Sequence, residues 1–178
     1  KLVSASYDTL DATILTGNLP AISGASLTGL SSPKIIGHAY DWSTPDESTT
    51  SSTFADIPSN KGRVSYTTVG ANSDFILSYG VNYKQTGNHA SYFYFFNLRY
   101  KIVLQSDSST LVTGNSRLLA HNINEGTLIT NSDAVTHVEL LDPGTVAAGT
   151  ALYFQPQFSS QSTGTCKGIQ LNIYEVSA

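Results

Sequence analysis

The sequence has no methionine, one cysteine, one tryptophan and only 12% charged residues, and each shortage excludes something. Without Met there is no initiator, and Lys1 is not the small residue that normally follows a removed one. The 178 residues are therefore expected to be a fragment or processed product of a longer protein. Cys166 alone can form neither an internal disulfide nor a cysteine metal cage. The net charge is −4 and no basic block is present, which argues against a nucleic-acid partner. No apolar run approaches the ~20 residues of a membrane helix, so no membrane insertion is expected.

What is present is hydroxyl, amide and aromatic. Ser and Thr supply about a quarter of the chain, beside 14 Gly, 10 Tyr and 7 Phe. This content argues against disorder for most of the chain. Residues 1–33 differ from the rest: LTGNLPAISGASLTGLSS is poor in charge and aromatics, and Leu15-Thr16-Gly17 returns as Leu27-Thr28-Gly29. Its isolated aliphatics follow neither a helical nor a long strand period. The segment is either a flexible linker or an extended element whose apolar residues are buried by copies of itself.

From residue 34 to 178 the pattern is that of strands. In DFILSYGVNY, Phe75, Leu77, Tyr79, Val81 and Tyr83 share one face; in SYFYFFNLRYKIVLQ, Tyr92, Tyr94, Phe96, Leu98, Tyr100, Ile102 and Leu104 do. Phe93 and Phe95 interrupt the opposite, polar face of the second run, which predicts burial on both sides there, by another sheet or another subunit. Shorter runs span 34–42, 53–57, 63–69, 111–121, 134–141, 151–158 and 169–176, separated by Gly, Asn, Asp, Ser and Thr clusters. No amphipathic helix is evident. The pattern predicts an all-β fold, an antiparallel jelly-roll β-sandwich preceded by a short extended, shaft-like segment. Pro156 should place its run at an edge or mark a bulge. Trp42 is expected to close one end of the sandwich, the other option being an exposed sugar-stacking platform.

Catalytic chemistry finds little support. No G-x-S-x-G elbow occurs. His38, His89, His121 and His137 are not at zinc spacing, and no D-x-D-x-D loop offers calcium ligands. Most acidic residues read as turn residues, while Glu139 and Glu175 fall in the runs 134–141 and 169–176. Cys166, in STGTCKG, reads as an incidental loop residue. No catalytic, cofactor-binding or metal-ligating residue is assigned, no cofactor is expected, and the chain is read as non-enzymatic.

Two stretches carry a resemblance. TGNLPAISGASLTGL resembles the low-complexity shaft of bacteriophage fibre proteins. The STTSSTFADIP stretch, the DPGTVAAGTALYFQPQFSS strand pair and the final IQLNIYEV resemble the β-sandwich head that follows such shafts. The resemblance implies a virion location and a homotrimer, with a wound shaft and three heads of tumour-necrosis-factor-like shape around a threefold axis. It further implies attachment to a host surface, commonly to a glycan, and contact with other virion proteins through the missing N-terminal part. Candidate trimer contacts are Leu15, Leu19, Ile22, Leu27, Phe93 and Phe95. If the C-terminus returns to the shaft side, the loops around 84–90, 121–133 and 159–168 lie together at the far tip. Their Lys84, Asn88, His89, Asn122, Asn124, Glu125 and Lys167 are then candidates for receptor binding. Two other readings remain: a capsid head-fibre or decoration protein, and a monomeric carbohydrate-binding module.

Overall fold

Alternation of large apolar and polar side chains sets the architecture. In the computed structural model, residues 33–87, 93–115, 117–123 and 129–177 are described, the side chains of 85–87, 93–95, 117–123 and 129–135 excepted. The shaft-like segment 1–32 lies outside them, and with it Leu15, Leu19, Ile22 and Leu27. The strands are β1 (Ile35–Ser43), β2 (Glu47–Thr49), β3 (Ala55–Asp56), β4 (Val64–Thr67), β5 (Asp74–Gly87), β6 (Phe93–Leu104), β7 (Thr110–Thr113), β8 (Arg117–Ile123), β9 (Ile129–Leu141), β10 (Ala151–Ser160) and β11 (Thr163–Val176).

They form two antiparallel sheets. One has the order β1-β11-β5-β9, with β2 continuing the β1 side of β11. The other has the order β3-β10-β6-β7, with β4 sharing the β3 side of β10 and β8 the β7 side of β6. Split strands counted once, this is a jelly roll of two four-stranded sheets. The antiparallel jelly-roll sandwich expected from residue 34 onward is the one observed.

The predicted faces meet between the sheets. Phe75, Leu77, Tyr79, Val81 and Tyr83 of β5 face Phe96, Leu98, Tyr100 and Ile102 of β6, with Leu152, Phe154 and Phe158 of β10 and Ile169, Leu171 and Ile173 of β11. Each such side chain contributes about 1.5–3 kcal/mol on burial. The rings meet edge to face or stacked: Phe75–Phe154 at 5.2 Å, Tyr66–Phe75 at 5.7 Å, Tyr83–Phe96 at 5.4 Å.

Three expectations are corrected. Pro156 lies in the central strand β10, without a bulge. In an antiparallel strand a residue's N–H and C=O point to the same side, and the Pro156 carbonyl accepts the Ile57 N–H at 3.2 Å. Its nitrogen therefore faces the break between β4, which pairs through Phe154, and β3, which pairs from Gln157, so no ladder bond is lost. Trp42 is 51% exposed rather than buried. Its strand turns the small residues Gly37, Ala39 and Asp41 inward, because the inner space at Gly37 is already taken. A Cβ there would stand 1.9 Å from the Tyr66 hydroxyl. Cys166 is a buried residue of β11, not a loop residue, since β11 begins at Thr163 and the turn before it is only Gln161-Ser162. Glu139 and Glu175 lie in strands, as the runs 134–141 and 169–176 predict, and their side chains are buried.

Candidate functional site

The outer faces of the two sheets have opposite chemistry. On the β1-β11-β5-β9 sheet, three successive register rows read His38–Tyr174–Ile76–Leu140, Tyr40–Asn172–Ser78–Val138 and Trp42–Gln170–Gly80–Thr136. None of the twelve is Asp, Glu, Lys or Arg. Tyr40 (54%), Trp42, Val138 (61%) and Leu140 (61%) are exposed, and His38 stacks on Tyr174 at 4.8 Å. The face follows from β1 turning its large residues outward and from Val138 and Leu140 of β9, which point outward in alternation with the buried Glu139 and Leu141.

The outer face of the other sheet is charged and internally paired. Lys101 bonds Asp56 at 2.9 Å, Gln157 donates to Asp56 at 2.7 Å, and the Arg99 Nε donates to Gln157 at 2.9 Å. Arg99 covers Phe54 at 4.1 Å and Arg63 covers Tyr153 at 3.9 Å.

The ends of the sandwich also differ. At one end the start of β1 meets the end of β11: Ser177 N–H donates to the Lys34 carbonyl at 2.9 Å, and Lys34 N–H to the Ser177 hydroxyl at 3.1 Å. Here the buried Glu175 carboxylate accepts Val69 N–H at 2.7 Å, Gly70 N–H at 2.8 Å and the Tyr66 hydroxyl at 2.8 Å. Burial pushes the Glu175 carboxyl up, but these donors more than reverse it and leave it below its usual value.

At the opposite end, Gly87 pairs with Ile129, Phe93 with Ile123, Thr86 with Thr163 and Ser160 with Phe96. The strand ends flanking the expected tip loops therefore lie together. Of the candidate receptor residues, Asn88, His89, Asn124 and Glu125 are outside the described residues. Asn122 lies on β8 opposite Tyr94, in the other sheet. Lys84 is half-buried on β5 opposite Thr165. Lys167 sits at the bulge of β11 between Cys166 and Gly168 and is ion-paired to Asp46. Lys167, with smaller help from Lys61 and Lys84, holds the Asp46 carboxyl below its usual value. The fold thus brings Lys84, Lys167 and Asp46 into one neighbourhood. Asp46 was not foreseen, having no periodicity in STPDES to mark it. Phe93 and Phe95 take register positions opposite Ile123 and His121.

No protein-family model and no curated protein matches the sequence. Solved structures of infectious bursal disease virus are similar to it. For the Gx strain the TM-score is 0.44 at 11% identity, over 80% of this chain and 32% of that one. For the T13 viral particle it is 0.43 at 12% identity, over 88% and 35%. The chain spans about a third of the length of those chains.

Burial pushes the Cys166 thiol up to about 12, so it stays protonated at neutral pH. Among the described residues no group of three or more His, Cys, Asp or Glu could hold a metal ion.

Proposed function

We propose that residues 34–178 are the head of a non-enzymatic virion structural protein, the distal part of a phage tail fibre, working as a homotrimer in host-surface attachment, with residues 1–33 as the end of its shaft. The observation that carries this reading is the uncharged outer face of the β1-β11-β5-β9 sheet. Protein interfaces are depleted of charge and enriched in Tyr and Trp at their centre. A single chain leaves Tyr40, Trp42, Val138 and Leu140 in water, where a contiguous apolar patch marks a contact surface. Further copies of the same chain would cover it, and the resemblance to fibre heads supplies the number three. Lys84, Lys167 and the tip loops would then face away from the Lys34–Ser177 end, toward the host, and glycans would be their ligands. A capsid head fibre or decoration protein would use the same surfaces. Labelling the protein on particles separates the two, density on the shell rejecting the tail assignment.

One observation favours a second reading. Trp42 and Tyr40 stand exposed on a flat face, as a sugar-stacking platform of a monomeric carbohydrate-binding module would. Sedimentation equilibrium decides: three copies per particle at micromolar concentration are expected, and a stable monomer overturns the trimer.

A further inference from the structure

We propose that the outer face of the β3-β10-β6 sheet carries a pocket for one carboxylate-bearing sugar unit, with the Arg63 guanidinium as the partner of the carboxylate. This site is separate from the tip loops and is complete within one chain.

A cavity of about 260 Å³ lies on that face. Its floor is made by neighbours in register, Tyr153 beside Val103 and Gln155 beside Lys101. Asn60 and Arg63 rise on one side, from the connection between β3 and β4, and Ser108 rises from the turn after β6. Asn60 and Ser108 both have left-handed backbone, φ 56° and 63°, which turns the chain out of the sheet plane at these points. Asp56 completes the lining.

The charges decide the class of ligand. Lys101 is already spent on Asp56 at 2.9 Å. The Arg63 guanidinium carbon is 3.9 Å from the Tyr153 ring centre, so its plane is held by stacking. Its side chain makes no hydrogen bond or ion pair among the described residues. A planar fork of donors, fixed in place and unspent at the edge of a cavity, suits a carboxylate held through two parallel bonds. Two cations against one anion leave the pocket with an excess positive charge.

The rest of the lining excludes a bare anion as the best fit. Gln155, only 3% exposed, presents a buried carboxamide, and Asn60, Ser108 and Asp56 add an amide, a hydroxyl and an acceptor. The neutral amides of Gln155 and Asn60 and the Ser108 hydroxyl, with the Asp56 carboxylate as a further acceptor, match the hydroxyls of a sugar ring. The volume is below the roughly 300–1,000 Å³ of sites for drug-sized ligands, which limits the occupant to about one sugar unit.

The proposal rests on the attachment reading only for the source of the sugar, a surface polysaccharide. The test is calorimetric titration of the whole chain with D-glucuronate, D-glucose and inorganic phosphate, on the sample whose mass has been measured. Glucuronate should bind with a Kd in roughly the millimolar range, and glucose at least about tenfold more weakly. Arg63→Gln should abolish that preference with an unchanged melting temperature. Arg63→Lys, which keeps the charge but not the fork, should also lose most of it. Equal binding of both sugars, no glucuronate binding, undiminished binding by R63K, or phosphate binding as tightly as glucuronate would each overturn the proposal. A trimer that binds no glucuronate removes the pocket alone, and a monomer that binds it removes the assembly alone.

Discussion

The Tyr66 hydroxyl on β4 donates a 2.8 Å hydrogen bond to Glu175 on β11, joining the two sheets through the interior. Tyr66 rests edge to face on Phe75 and on Phe154, so the same side chain is a core ring at one end and a donor at the other. Burial, and then the bond to Glu175, raises the Tyr66 hydroxyl far above its usual range. It remains a donor at any pH the fold survives.

Glu175 makes stability depend on acid. Its folded value lies below the ordinary 4.5. Its contribution is therefore complete above the unfolded value and is lost as pH falls through the folded one. The melting temperature should be level near neutral pH and drop from about pH 5 downward. Glu175→Gln, which sets an amide against one of the N–H donors, should cost about 1–3 kcal/mol at pH 7 and flatten the acid limb in thermal scans. An unchanged acid limb would place the titrating group elsewhere.

Gly37 should be coupled to Tyr66. The Cβ of Gly37→Ala would collide with the Tyr66 hydroxyl at 1.9 Å, for a cost of about 1–3 kcal/mol. In a Tyr66→Phe background the collision is gone, and the alanine should cost much less. Urea unfolding of the four proteins gives the coupling directly, with additivity within about 0.5 kcal/mol counting against the contact.

The Tyr100 hydroxyl is buried with no hydrogen-bond partner among the described residues. Burial, the largest cause, raises it well above its ordinary value. Tyr100→Phe should therefore be neutral or stabilising by up to about 1–2 kcal/mol, because an unpaired buried hydroxyl is removed while the ring packing stays. A chemical denaturation midpoint lowered by the substitution would show that the hydroxyl has a partner.

Cys166 should be inert in the folded protein. With its thiol near 12 and no solvent contact, labelling by an aromatic disulfide reagent should proceed only through opening of the fold. Rates at pH 7 and pH 9 should track global unfolding. Fast labelling under native conditions would contradict the burial.

Leu140 and Val138 should control assembly. Leu140→Arg or Val138→Arg places a charge in the uncharged face without touching the core. Circular dichroism and melting of the isolated head should change little, while sedimentation should show loss of the assembled species. Retention of three copies by both variants would move the interface to another surface.

Much of this was readable from residue order. The face Phe75, Leu77, Tyr79, Val81, Tyr83 and its partner on β6 follow from period-two alternation, since a pleated strand bordering a core must alternate. One buried carboxylate was readable too. Glu175 continues the parity of Ile169, Leu171 and Ile173 in the run 169–176, and that parity points it inward. STGTCKG has turn composition and so reads as a long loop, yet Thr165, Cys166 and Gly168 pair with Lys84, Tyr83 and Asn82 of β5 and hold Lys167 in the strand at the bulge between them.

Alternation along the chain thus determined that there would be two sheets and which side chains would fill the space between them, because that choice depends only on neighbours along a strand. It could not decide which way β1 faces, since Gly37, Ala39 and Asp41 form as regular a face as His38, Tyr40 and Trp42. Only the tertiary structure settles that, because the space beneath β1 is already filled by Tyr66 and Glu175, which come from β4 and β11. The same holds for Pro156, whose missing donor is harmless only because β3 and β4 leave a gap at that point of β10. It holds too for the pocket beside Arg63, assembled from residues as far apart in sequence as Asp56 and Gln155. Periodicity carries local constraints, and these three features are set by what arrives from elsewhere in the chain.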